Sequence, residues 1–313
     1  MGLTTSHVRW LRIMAGTVLL VVPLVVAAPR WEMLLANHPA YPVALLVATV
    51  VGVVLVATGA RASDPPREGA IRTTLRVAAL VAALGAAAVL FWFAPFGAAP
   101  EALVALRSDA SVQVTDTRSS TVYEPSGDST AASDGAAATL VLYPGARVDP
   151  RAYAVLARGI AEQSHRVVVL KCPFDTAFFC AAPSPDLTGG DRFVVAGHSL
   201  GGVAASTYAS GSDRVSGLVL WASYPPADLS GSDLAVTSIY GTNDGLSTPA
   251  DIDARRDLLP ASTLYVPVEG AIHAFFGDYG TQPGDGRPAT TRDDAQAQIV
   301  NATVRALDAA VNG

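Results

Sequence analysis

A chain of 313 residues has room for one large domain or two smaller ones. With half of its residues hydrophobic and a mean hydropathy of +0.36, it is too apolar to be water-soluble throughout. A net charge of −6 and a pI near 5.3 exclude the basic footprint expected of a nucleic-acid binder. Two cysteines, Cys172 and Cys180, are too few for a disulfide-built scaffold and leave no second pair to complete a metal site.

Three apolar runs fill the first hundred residues: 11–28, with Arg12 near its start, then 41–60 and 77–99. Each approaches or exceeds the roughly 20 residues that a bilayer-crossing helix needs, and each is apolar on every face. The spacing therefore predicts an N-terminal all-α transmembrane region over residues 1–100. Trp10, Trp31, Trp92 and Phe93 stand toward the ends of the runs, as interfacial anchors do. Arg9 and Arg12 precede the first run, and Arg61, Arg67, Arg72 and Arg76 follow the second, whereas the first link carries only Arg30. Cation-rich short segments stay on the cytoplasmic side. Residues 101–313 are accordingly expected on the extracytoplasmic side of a multi-pass membrane protein. Reading the first run as a cleaved signal peptide would leave that placement unchanged.

From residue 101 the composition turns mixed. SVQVTDTRSSTVYEP (111–125) alternates apolar and polar residues around a polar middle and predicts a β-hairpin, followed by a polar loop over 126–135. ATLVLYPG (138–145) predicts a buried strand, and Asp149-Pro150 cap and open a helix running to about residue 163. RVVVLK (166–171) predicts the next strand, and a long loop over 172–190 leads to RFVVAGHSLGGVAASTYA (192–209), a strand meeting a helix at one serine. Further strands are expected near 217, 234 and 262, with helices over 249–259 and 292–312. Strands alternating with helices predict an α/β domain with a mostly parallel sheet covered on both faces, and ligands bind such sheets at the carboxyl ends of the strands.

Gly197-His198-Ser199-Leu200-Gly201 fits G-x-S-x-G between a strand and a helix, the nucleophile elbow. A serine hydroxyl is a weak nucleophile, so Ser199 needs a base and the base needs a carboxylate to orient it. His273 is the only histidine after Ser199 and follows a strand, in GAIHAFFGDYG; His198 adjoins the serine too closely to be the expected base. Asp244, in the turn YGTNDG at a strand's carboxyl end, is the expected acid, with Asp228 and Asp233 as weaker rivals. The backbone N–H of Leu200 is one expected oxyanion donor. The other belongs to the turn after 138–143, with Ala146 preferred and Gly145 and Arg147 left open. Gly284-Asp285-Gly286 resembles part of a metal loop, but a lone carboxylate supports no metal, and no cofactor is expected.

On GHSLGG, YGTNDG and GAIHAFFGDYG, residues 111–312 resemble the α/β-hydrolase superfamily, in the compact, dienelactone-hydrolase-like form. Only residues 223–232 separate two successive strands where many relatives carry a cap, which leaves no room for one. The resemblance implies an α/β-hydrolase fold and acyl transfer through an acyl-enzyme on a small-molecule or lipid substrate. It implies a serine ester hydrolase first. A cell-envelope acyltransferase using the same triad is the alternative, and a non-catalytic membrane-anchored interaction or sensor protein the third reading. In an outer compartment, Cys172 and Cys180, eight positions apart, are expected to form a disulfide that holds Phe174, Phe178 and Phe179 as a wall near Ser199.

Overall fold

The computed structural model describes residues 5–61, 70–126, 138–189 and 192–312. It divides into two compact units, Met1–Ala94 and Pro95–Gly313.

In the first unit, α1 (Thr5–Ala27) passes through a short 3₁₀ turn at Ala28–Arg30 into α2 (Trp31–Ala36), followed by α3 (Ala40–Arg61) and α4 (Ala70–Trp92). Three stretches, Arg9–Ala36, Ala40–Arg61 and Thr73–Trp92, are long and apolar enough to cross a membrane. Gly16 and Gly52 let α1 and α3 approach backbone to backbone, for a Cβ on either would lie 2.8 Å from the other's carbonyl oxygen. Leu19, Ala48 and Ala87 are buried between helices, whereas Met14, Leu24, Leu46, Val81 and Trp92 point outward, as side chains that face lipid do. The third helix ends at Trp92 and not at residue 99 as the hydropathy alone predicts. Pro95 has no N–H to continue the ladder, and Phe96 leaves to pair with Val148. Most of the link between α3 and α4, including Arg67, lies outside the described residues.

The second unit starts with α5 (Pro100–Ala105) and the expected hairpin, β1 (Val112–Asp116) and β2 (Ser120–Pro125), paired antiparallel. The polar loop after it lies outside the described residues from 127 on. Then come β3 (Thr139–Tyr143), a 3₁₀ turn leading into α6 (Ala154–Ala161), β4 (Arg166–Leu170), α7 (Pro185–Thr188), β5 (Phe193–His198) and α8 (Leu200–Ala209). The chain closes with β6 (Val215–Trp221), β7 (Ala235–Gly241), α9 (Pro249–Asp253), β8 (Leu264–Val268) and α10 (Arg292–Asn312). The eight strands form one sheet in the order β1-β2-β4-β3-β5-β6-β7-β8, antiparallel through β2–β4 and parallel from β4 onward.

Both faces of the sheet are covered, because successive residues on a strand point to opposite sides. Leu140 and Leu142 on β3 pack with Leu156 and Ile160 of α6 and Ile299 and Leu307 of α10. Val141 and Tyr143, one position out of phase, pack with Val195 and with Ala204, Ala205 and Ala209 of α8 on the other face. The fold is the α/β arrangement that the alternation of strands and helices predicts. It brings the carboxyl ends of β3, β5, β7 and β8 together at one edge.

Candidate active site

The site begins where β5 stops. Ser199 takes φ 53° and ψ −124°, a left-handed backbone that costs a residue with a side chain about 1–3 kcal/mol. Its surroundings hold it there: the Ser199 N–H donates to the Trp221 carbonyl at 2.9 Å, and its own carbonyl accepts from Gly202 N–H at 2.9 Å and from Ser223 Oγ at 2.6 Å. The flanking glycines make the turn possible. A Cβ on Gly197 would lie 2.2 Å from the Gly201 backbone, and one on Gly201 would lie 2.2 Å from the Tyr143 carbonyl oxygen. The helix N-terminus is thereby pressed against the end of β3.

The structure brings Asp244 and His273 together. Three residues past β7, Asp244 Oδ1 accepts the N–H groups of Leu246 and Ser247, both at 2.8 Å. This leaves Oδ2 for His273 Nδ1 at 2.8 Å. Both side chains are buried, so the pair is shielded from water. His273 Nε2 is also buried and has no hydrogen-bond partner, neither Ser199 nor any other described residue. In a resting site such a bond is commonly loose until substrate arrives. The His273 ring lies 4.7 Å from that of His198, centroid to centroid, which puts His273 beside the elbow. Asp228 and Asp233 are exposed; Asp228 accepts from the Ser230 N–H, and the carboxylate bonded to the His273 ring is that of Asp244.

The turn after β3 has committed two of its three candidate donors. Gly145 N–H donates to Tyr153 Oη at 2.8 Å, and Arg147 N–H to the Asp175 carbonyl at 2.7 Å. The Ala146 N–H makes neither of these bonds, and the Leu200 N–H stands at the open start of α8. Arg147 takes a positive φ of 63°, which bends the turn away from the strand.

His198 and Asp285 carry structural roles that the sequence did not signal. His198 is fully buried; Tyr153 Oη, raised in pKa by burial and so a phenol, donates to its Nδ1 at 2.9 Å, and its ring stacks on Phe276. Burial first, and then the neighbouring His273, holds its pKa well below 6.5. Gly145 N–H, Tyr153 and His198 thus form one chain from the turn after β3 to the elbow. Asp285 clasps the loop of His273: Oδ1 accepts from His273 N–H at 3.0 Å and Oδ2 from Ala274 N–H at 2.8 Å. Oδ1 also reaches Gly245 N–H, next to Asp244, at 3.4 Å.

Cys172 and Cys180 are joined in a disulfide, with Cα atoms 4.7 Å apart. The loop they close holds two successive positive-φ residues, Phe174 at 56° and Asp175 at 45°. Burial, and then the charge of Asp149, pushes the Asp175 carboxyl well above its ordinary range. Phe174 is partly covered, its ring edge-on to Phe179, but Phe178 and Phe179 face outward and do not form the wall expected of them.

A family model described as the alpha/beta hydrolase family matches residues 139–298, just over half of the chain. Among solved structures, a ferulic acid esterase from Streptomyces cinnamoneus is similar at 14% identity and a TM-score of 0.47, covering 62% of this chain and 82% of that one. A monoacylglycerol lipase from Paleococcus ferrophilus is similar at 14% identity and 0.37, covering 54% and 94%. An alpha-beta serine hydrolase homologue from Coxiella burnetii is similar at 13% and 0.39, covering 64% and 99%. These likenesses are loose and carry no weight for activity. No curated protein matches the chain significantly.

Proposed function

The chain belongs to the alpha/beta hydrolase family, and from that membership we propose a membrane-anchored serine hydrolase that cleaves carboxylic esters through Ser199, His273 and Asp244. The observation that carries the reading is the buried Asp244–His273 pair. Its 2.8 Å bond fixes Nδ1 as the donor and leaves Nε2 unpartnered beside the elbow. A free Nε2 in that tautomer is the acceptor that a seryl proton needs.

In the proposed reaction Ser199 Oγ attacks the ester carbonyl carbon as His273 Nε2 takes its proton, and Asp244 Oδ2 stabilises the imidazolium that results. The carbonyl oxygen, now negative, receives the N–H groups of Leu200 and Ala146. Ala146 is the reading that the commitments of Gly145 and Arg147 leave standing. Each such donor supplies about 3–4 kcal/mol of transition-state stabilisation. His273 then gives the proton to the leaving alkoxide. Water, activated by the same Nε2, cleaves the acyl–Ser199 bond and releases the acid.

The test uses the purified full-length chain and a fluorophosphonate, with a panel of aryl esters of increasing acyl length. Label is expected on Ser199, and Ser199→Ala should lower turnover by at least about 10³-fold. Ester hydrolysis near the wild-type rate in Ser199→Ala would overturn the assignment.

A further inference from the structure

The residues that lead out of the third apolar helix are bonded directly to the site. α4 ends at Trp92, and the Phe96 N–H already donates to the Arg147 carbonyl at 2.6 Å while its own carbonyl accepts from Asp149 N–H at 2.9 Å. Three residues later Ala99 N–H donates to the Asp278 carbonyl at 2.7 Å, and the Phe96 ring meets that of Tyr279. The link is thus fastened on one side to the turn that carries Ala146 and on the other to the loop that carries His273. From Trp92 to Phe96 an extended chain spans at most about 14 Å. Once α4 crosses a bilayer, Phe96 can stand no further than about that distance from the end of the helix, and the turn to which Phe96 is bonded is tethered with it.

Arg147 also joins this link to the disulfide loop. Its carbonyl holds Phe96 and its N–H holds Asp175. In that loop Phe178 and Phe179 are 54% and 56% exposed, followed by exposed Ala181 and Ala182. The turn Ala177–Phe179 packs against α8, the helix that starts at the nucleophile. Two adjacent outward phenylalanines on a clasped loop gain nothing from water. Aromatic rings at a bilayer interface bury apolar area while the backbone stays wet.

We propose that Phe178 and Phe179 enter the bilayer interface and that the site draws its ester from the acyl lipids of that bilayer, not from water-soluble esters. The substrate half rests on the hydrolase reading above. The acyl C–O bond of the lipid breaks as the bond to Ser199 Oγ forms, and the alcohol leaves with the seryl proton delivered by His273. Water then splits the acyl-enzyme to a fatty acid and restores the hydroxyl.

The full-length chain is placed in vesicles of phosphatidylethanolamine and phosphatidylglycerol that contain a fluorogenic long-chain diacylglycerol. With p-benzoylphenylalanine in place of Phe179, illumination is expected to yield lipid adducts. Adducts to a co-reconstituted membrane extract's proteins, or none to lipid, would overturn bilayer contact. Phe178→Ser combined with Phe179→Ser is expected to lower hydrolysis of the vesicle-held ester about tenfold or more, while a soluble aryl butyrate is turned over within roughly twofold of the wild type. Equal losses on both esters would overturn the lipid preference. A wild type that hydrolyses neither ester and takes no fluorophosphonate would sink the hydrolase reading and the substrate half with it, whereas the adducts would still decide the bilayer contact.

Discussion

His198 shows how a residue beside Ser199 can matter through the fold itself. It is sealed in the folded chain with its pKa held well below 6.5, by burial first. The unfolded chain has an ordinary imidazole. As pH falls below 6.5 the unfolded state gains a proton that the folded state refuses, so this group's contribution to stability is whole above 6.5 and declines below it. His165, also lowered by burial, acts in the same sense, whereas Asp175 and Asp278, raised by burial, act in the opposite one. A difference between two proteins isolates the effect. Urea unfolding of wild type and His198→Gln in the same detergent, between about pH 7 and pH 5, should show the wild type losing more stability. Gln keeps an acceptor for Tyr153 but has no proton to gain. Parallel pH dependences would mean that His198 does not stay neutral in the fold.

At the scale of elements, what was legible depended on how far apart in sequence the partners stand. The elbow could be read because Gly197, Ser199 and Gly201 make their point within five consecutive residues, and the strand and helix on either side are contiguous with it. Asp285 could not be read, because its partners Ala274, His273 and Gly245 lie 11, 12 and 40 positions away. Only the docking of the loop after β8 onto the turn after β7 brings them together. The proposed second oxyanion donor was open among three residues for the same reason: the acceptors that engage Gly145 and Arg147, Tyr153 Oη and the Asp175 carbonyl, belong to other elements. Hydropathy likewise ran the third helix on to residue 99, since it is blind to the pairing of Phe96 with Val148. Asp285 itself yields a prediction. Asp285→Asn loses one acceptor from the clasp that sets His273 against Asp244, and a misplacement of about 1 Å costs up to about 10²-fold. Turnover and the rate of fluorophosphonate labelling should fall together by about 10- to 100-fold, with KM and the melting temperature near the wild-type values. Unchanged labelling, or a loss matched by the unfolded fraction, would assign Asp285 to folding alone.

For the whole molecule, we propose that the second unit lies on the outer side of a membrane, and two independent features support it. The first is charge: Arg61, Arg67, Arg72 and Arg76 flank the link between the second and third apolar helices, where only Arg30 marks the link before it. On three crossings, positive-inside counting leads us to propose that residues 101–313 lie outside. The second is redox chemistry, which does not depend on counting spans: a Cys172–Cys180 disulfide persists where the compartment is oxidising and is rare in a reducing cytosol. Protease added to spheroplasts should therefore digest the second unit while the apolar helices are retained, and thiol titration of the denatured, unreduced chain isolated from the same cells should find no free thiol. Protection until the membrane is opened, together with two free thiols, would place the unit in the cytosol and show that one of the three apolar stretches does not cross. Protection with no free thiol would point to poor protease access, because a disulfide is rare on the reducing side.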